Sequence, residues 1–357
     1  MNSYGDKDAL LFSVLRHVIW RRELVIPSEQ WQDVMTLAQE QAVFGLAFES
    51  VIENEKPPIS RELLLQWLAI AEQVKVQNNK VNKDLEVFAR WMTEHEIDYR
   101  VVKGQIVAQC YSKPHLRQSG DIDFWVNPKD IKCCEELIEK DLMVTLQRNE
   151  SEKHVEYQWQ GLQYELHSHL ATFAVKKHQR YFETLEQEDK GMAVRIGETD
   201  VATLSPTFNA IYIFVHLFHH LIHMGVGLRQ LCDWMMWLHQ YQEVIDREAL
   251  REHLNQLGLY RPYCVLGVIL VDDLGLPVEE FPFEITVKDR QRSRKALQDI
   301  MELGNFGHNK EKVRKLGLLH SLHTGWRMCV QSMKYIDLAP QEIVCRIPHT
   351  VMWYLRK

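Results

Sequence analysis

The stretch 101–126, VVKGQIVAQCYSKPHLRQSGDIDFWV, decides how the whole chain is read. Within it the residue pattern changes period. Tyr99-Arg100-Val101-Val102 has the content of a short strand, Gly104 to Tyr111 reads as a helix, and Ile122 to Val126 reads as a strand stopped by Asn127-Pro128. Residues two apart on a strand share a face, so Asp121 and Asp123 present paired carboxylates while Ile122 and Phe124 turn to the core. Like charges held together need a cation or a proton between them, and hard oxygen ligands on one face suit magnesium (Mg2+) bridging substrate phosphates. Alone, such a pair is a weak motif, because Asp-x-Asp also occurs on solvated strand edges and in turns.

The residues before the pair add a mechanism. A glycine where a strand turns into a helix lets a phosphate approach the backbone, and the amides of a helix start favour an anion. Gly104 holds that position, Lys103 and Arg117 flank it with positive charge, and Ser119-Gly120 leads into the acidic strand. Arginine carries a fork suited to phosphate oxygens, so these five residues form the expected nucleotide-binding set. Ordinary surface ion pairs are the plainer account of the two cations.

Outward from this stretch, residues 1–97 are helical, with turn signals near Pro27-Ser28 and Pro57-Pro58 and one long helix expected from Arg61 to His95. Residues 98–204 read as a small mixed sheet with helices beside it. A helix is expected from Lys129 to Lys140, then an extended piece from Met143 to Gln147, then a hairpin of Val155–Trp159 and Gln163–His169 joined at Gln160-Gly161. Residues 205–357 return to helical periodicity after Ser205-Pro206, an N-cap followed by proline in the first turn. The expected class is therefore α+β, a sheet core between N- and C-terminal helical regions.

Composition narrows the function classes. With 357 residues and 46% hydrophobic content the chain can bury a large core. A formal net charge of -7 makes extended nucleic-acid binding an unfavourable expectation. The apolar run from Phe208 to Ile222 is interrupted by histidines and is shorter than the about 20 residues a membrane span needs, so no membrane association is expected. Seven cysteines without a CxxC pair predict a reducing, cytoplasmic setting, and the N-terminus lacks the pattern of a secretory signal.

The run from Val101 to Val126, with its Lys-Gly, Tyr, Leu-Arg and Gly-Asp-Ile-Asp elements, resembles the uncharacterised nucleotidyltransferase family. More loosely it is similar to the aminoglycoside and lincosamide nucleotidyltransferases of the polymerase-beta-like superfamily. That resemblance implies a polymerase-beta-like core, a nucleoside triphosphate (NTP) as co-substrate, and Asp121 and Asp123 on a metal ion. It also implies transfer of a nucleotidyl group to a hydroxyl of an acceptor that the sequence does not identify. The superfamily usually supplies a third carboxylate from a later strand, as metal ligand or base; Glu165 in Tyr164-Glu165-Leu166-His167 is the choice, with Glu156 as competitor. Gln105 departs from the superfamily, which places glycine or serine after the turn glycine. A protein that keeps the fold and binds nucleotide without turnover is the alternative.

His216, His219, His220 and His223 fall on one side of a helix. Zinc is the sharp reading; packing or pocket lining is the plainer one, because neither an HExxH motif nor a cysteine pair accompanies them. His154 and His167 read as exposed strand histidines or pocket lining. The family resemblance extends through Leu228-Arg229 to Asp233 and implies a helical region facing the cleft, so His167, His219, Arg229 and Asp233 are the expected acceptor pocket. At i and i+4, Arg229 and Asp233 otherwise read as a helix-surface ion pair. Tryptophans such as Trp234 and Trp237 read as core, and Lys310 to Lys315 as a solvated helix face.

Overall fold

The computed structural model describes residues 6–53, 59–148, 154–305 and 318–356. The Pro57-Pro58 turn and the Lys310 to Lys315 run lie outside the described residues. Three short helices, α1 (Asp6–Trp20), α2 (Trp31–Glu40) and α3 (Phe44–Ile52), lead into the 34-residue α4 (Arg61–Glu94). Ser60 caps α4 by accepting from the Leu63 amide, as its position before a run of strong helix formers predicts. The middle of the chain gives β1 (Tyr99–Val102), α5 (Gly104–Ala108), β2 (Ile122–Val126), α6 (Ile131–Asp141), β3 (Gln147–Arg148), β4 (His154–Trp159) and β5 (Leu162–His167). Then come α7 (Lys176–Glu188), β6 (Met192–Ile196) and β7 (Thr199–Thr203). The remainder is helical: α8 (Pro206–His223), α9 (Leu228–Tyr241), α10 (Arg247–Gln256), α11 (Tyr260–Val268), α12 (Val287–Leu303), α13 (Leu318–Met333) and α14 (Pro340–Arg356).

The main sheet runs β1-β2-β5-β4-β3; β2 and β5 are parallel and the other pairs antiparallel. Period-two alternation gives it two unlike faces. Phe124, Tyr157, Tyr164 and Leu166 are buried on one side, where Phe88 of α4 packs edge-on against Phe124 at 4.8 Å and Tyr157 stacks on Tyr164 at 5.1 Å. Such aromatic pairs add about 0.5–1.5 kcal/mol beyond area burial. The opposite face carries Asp123, Glu165 and His167, and α8 passes over it, with Tyr212 and His216 reaching the Lys103 side chain. One continuous hydrophobic cluster includes Leu11, Phe88, Phe124, Trp234 and Tyr335, joining all three regions.

The mixed sheet between helical flanks is the architecture the sequence predicts. Three local expectations change. The helix after Gly104 ends at Ala108 instead of Tyr111, where the Cys110 and Tyr111 amides turn to tighter i→i−3 bonds with the Val107 and Ala108 carbonyls, each 3.0 Å. The extended piece from Met143 shrinks to Gln147–Arg148. A second hairpin, β6 with β7, lies where no strand is anticipated; Gly197, at φ 56°, makes its turn. Among the described residues no single helix is long and apolar enough to cross a membrane.

Candidate active site

The centre of the sheet sets the geometry. In the β2–β5 register Asp123 sits beside Glu165, and Trp125 beside His167; one strand further out Glu156 pairs with Glu165 and His154 with His167. Asp123, Glu165 and His167 therefore project from one face, with ligand atoms all within 4.8 Å of one another. Asp121, just before β2, joins them through a hydrogen bond with Glu165. Two carboxylate oxygens and an imidazole nitrogen at this spacing suit a divalent cation. Asp121 lies outside the tight cluster and His167 lies inside it, so the metal-compatible set differs by one member from the expected Asp121, Asp123 and Glu165.

His167 is not an exposed strand histidine: its side chain is 12% exposed and its Nε2 lies 3.0 Å from Asp123 Oδ1. Glu156 is occupied by His154 at 2.9 Å and by the Gln163 amide at 3.1 Å, which leaves Glu165 as the acid adjoining Asp123. A second metal-compatible group, His154, Glu156 and Glu165, shares Glu165 with the first.

Lys103 closes the front of the cluster. Its ammonium donates to Asp123 Oδ1 at 2.8 Å and lies 5.9 Å from the Tyr212 ring centroid and 3.5 Å from His216 Nδ1. Its backbone sits at φ 57° and ψ -140°, a conformation that is strained for a residue with a Cβ and is followed by Gly104 at φ 39°. Such strain amounts to about 1–3 kcal/mol and persists where the surroundings over-determine it. The double left-handed turn is what aims the Lys103 side chain back at β2. A Cβ at Gly104 would meet only the Asp121 carbonyl oxygen, at 3.7 Å, so the turn needs this glycine for its backbone angle and not for clearance. A Cβ at Gly120 would meet nothing within 4 Å, leaving open room where the strand begins.

The charges are strongly coupled. Burial works to raise the Asp123 carboxyl, yet Lys103 and His167 hold it well below the usual carboxylate range. Burial first, then the adjacent Asp123 charge and the hydrogen bond with Glu165, push Asp121 up to about 7. Burial opposes the charged form of His167, but its bonds to Asp123 and Glu165 raise it above its ordinary value.

Arg117 is a correction. Expected on phosphate, it is buried and held by Asp233: Nε donates to Oδ1 at 2.7 Å and Nη2 to Oδ2 at 2.6 Å. The expected Arg229–Asp233 helix pair is therefore not made. Arg229 instead donates to the Gln118 carbonyl at 3.1 Å. The reason is planar geometry: a bidentate guanidinium from across the fold outcompetes a neighbour on the same helix. Asp233 is thus a structural anchor rather than an open pocket residue. Ser119 lines the small cavity with Gly104, Asp121 and Asp123. Gln105, where the superfamily places glycine or serine, points away; its amide donates to Asn78 Oδ1 at 2.7 Å.

The four imidazoles of α8 divide. His216 contacts Lys103, whereas His219 and His223 lie 3.4 Å from the Arg346 guanidinium, and His219 packs edge-on against Phe173. Burial lowers all four, His220 to about 4, and keeps them neutral. Facing cations, they line a wall; the metal-compatible clusters among the described residues lie on the sheet. His219 thus belongs to the docking of α14, while Tyr212 and His216 contact Lys103 at the site and His220 packs against His216 at 4.4 Å. The sequence signal for them was available in the i, i+4 spacing but pointed equally to His219 and His223. Asn78, buried in α4 and donating to the carbonyls of His115 and Arg117 at 2.9 and 2.8 Å, was missed altogether. An asparagine within a run of strong helix formers is its only trace.

A family model described as uncharacterised nucleotidyltransferase matches residues 27–272. No curated protein matches the chain. Among solved structures, an antigenic nucleotidyltransferase-like protein from Paracoccidioides brasiliensis aligns with 14% identity over 56% of this chain and 94% of its own, at a TM-score of 0.34, a likeness too slight to bear on fold or mechanism.

Proposed function

The chain belongs to the uncharacterised nucleotidyltransferase family, and from that premise we propose that it is a magnesium-dependent enzyme moving a nucleotidyl group from an NTP to a hydroxyl of an acceptor. The observation that carries this reading is the convergence of Asp123, Glu165 and His167, with Asp121 bonded to Glu165, at the centre of the sheet behind the Lys103-Gly104 turn. Asp123 and Glu165, with His167 or Asp121 completing the set, would hold the metal. When bound there, magnesium supplies positive charge to the triphosphate oxygens. The acceptor oxygen attacks the α-phosphorus, the bond to the bridging α,β-oxygen breaks, and pyrophosphate leaves with its electron pair. Glu165, beside Asp123 in the β2–β5 register, would serve either as metal ligand or as the base that takes the proton of the attacking hydroxyl. The Lys103 ammonium, 2.8 Å from Asp123, lies where it can shift from that carboxylate to phosphate oxygen as the nucleotide enters.

The alternative of a nucleotide-binding protein without turnover draws on one observation, the engagement of Asp123 by Lys103 at 2.8 Å. The test is transfer of label from each α-phosphate-labelled NTP, with magnesium, into cell extract. Incorporation by the wild type and none by Asp123→Asn is the expected result. Binding of NTP with no incorporation under any acceptor condition would favour the alternative.

A further inference from the structure

Two arginines meet at the turn before the acidic strand, Arg117 buried and Arg229 half-buried with its Nε enclosed, and one carboxylate serves only one of them. Asp233 is saturated by Arg117 on both oxygens and by the Tyr111 hydroxyl at 2.9 Å on Oδ1. Arg229, one helical turn earlier on α9, has among the described residues only the Gln118 carbonyl, at 3.1 Å, as a side-chain acceptor, and its Nε is a buried donor without a partner there. Asp121 and Asp233 lie within electrostatic range of it, but among the described residues neither carboxylate hydrogen-bonds it. The residue after Gln118 repeats the pattern: the Ser119 hydroxyl is also buried and, among the described residues, unpartnered, on the wall of a small cavity between the turn and α4 that includes Val81, Leu85, Gly104, Asp121 and Asp123. Buried donors without acceptors carry the full desolvation penalty, and a buried cation more so. Two such groups, one on the turn and one reaching it from α9, close to Asp121, call for an acceptor that is anionic and has several oxygens.

We propose that Arg229 and Ser119 form an anion subsite beside β2 that receives the terminal phosphates of the nucleotide, and that Arg117, which the sequence favours for this task, instead holds the turn in place through Asp233. The subsite deepens the nucleotidyl-transfer reading and rests on it for the identity of the anion. An arginine here comes from α9, so binding of the triphosphate would tie the C-terminal helical region to the sheet core.

The test is calorimetric titration of the full chain with inorganic tripolyphosphate, alongside NTP kinetics. Arg229→Gln should weaken tripolyphosphate about tenfold, the loss of one charge-assisted contact, and raise KM for NTP by a similar factor. Arg229→Lys should recover part of it. Should Arg229→Gln fail to fold, Ser119→Ala carries the test, because it removes a hydroxyl that has no partner. It should leave thermal stability unchanged or higher while weakening tripolyphosphate about threefold, a smaller loss suited to a neutral hydrogen bond. Unchanged affinity in both variants, or no tripolyphosphate binding by the wild type, overturns the subsite. Transfer that proceeds with unchanged KM in Arg229→Gln also overturns it while leaving the enzymatic reading intact. Arg229-dependent tripolyphosphate binding without transfer does the reverse.

Discussion

Two buried cation–carboxylate pairs flank the turn into β2, and they are built on opposite plans. Arg117 and Asp233 saturate each other: two parallel bonds of 2.7 and 2.6 Å, with the Tyr111 hydroxyl also donating to Oδ1. Lys103 and Asp123 do not. Their single bond of 2.8 Å is crowded by His167, Asp121, Glu165 and His216, and it is held by a strained backbone. A saturated pair has nothing left to offer a ligand and serves as a weld between the sheet core and α9. A pair with surplus partners can exchange one of them for substrate or metal. Hydrogen-bond saturation, more than burial or charge, separates the structural site from the working one, since Asp123 and Asp233 are comparably buried at 5% and 7% exposure.

The comparison breaks most directly at Asp233. Asp233→Asn should lower unfolding free energy by about 3–5 kcal/mol, because Arg117 is left buried without a counter-charge. A urea titration reads this, and a double replacement of Arg117 and Asp233 by apolar residues of similar volume should recover most of it. A loss below about 1 kcal/mol, the range of exposed pairs, would mean that the pair is not a weld. Asp123→Asn should behave inversely: transfer should fall by on the order of 10²–10³, with a smaller stability loss than at Asp233, because Tyr212, Asp121 and His216 still surround Lys103. Equal stability losses at the two positions with transfer retained would erase the distinction.

The working site was far more legible than the weld. Alternation over Gly120 to Val126 gives the facing of Asp123, and the Tyr164-Glu165-Leu166-His167 alternation gives the second half of the cluster. Both signals are local, and the parallel β2–β5 register does the rest. Arg117 and Asp233 are 116 residues apart and no local pattern joins them; the i, i+4 rule assigned Asp233 to the wrong arginine. Helical spacing likewise marked four histidines without saying which pair would face Lys103 and which would face Arg346 of α14. The β6–β7 hairpin went unread because its alternation is short and mixed: only Val194 and Ile196, then Val201 and Thr203, are buried.

Asn78 sharpens the comparison from the other side of the turn. Its amide donates to the carbonyls of Val74, His115 and Arg117, and its oxygen accepts from Gln105, so it is a saturated hub. Asn78→Ala gains at most about 0.7 kcal/mol in helix propensity but strands the His115 and Arg117 carbonyls and the Gln105 amide, at about 1–3 kcal/mol for an unsatisfied buried group. Net destabilisation of about 1–2 kcal/mol by denaturant titration, with only a small change in transfer, is expected. A large loss of transfer at unchanged stability would place Asn78 with the working residues instead.

The exposed pair of Arg21 and Glu53, at 2.7 Å, sets the lower end of the scale. Burial is the largest single influence and works to raise Glu53, but the hydrogen bonds and charge of Arg21, with Lys113 nearby, together hold it below its ordinary 4.5. A depressed carboxylate contributes stability that is present above its unfolded value and lost as pH falls through the folded one. With side chains 54% and 31% exposed, solvent screens the interaction to about 0.2–1 kcal/mol. Glu53→Gln should therefore lose that small amount at neutral pH, and the difference from wild type should vanish in acid, below the folded value. Because the same bond length is found at 2.7 Å in Arg117–Asp233, the contrast in effect isolates what burial and saturation add to a salt bridge. A loss at Glu53 equal to that at Asp233 would mean that distance alone sets the strength of these pairs.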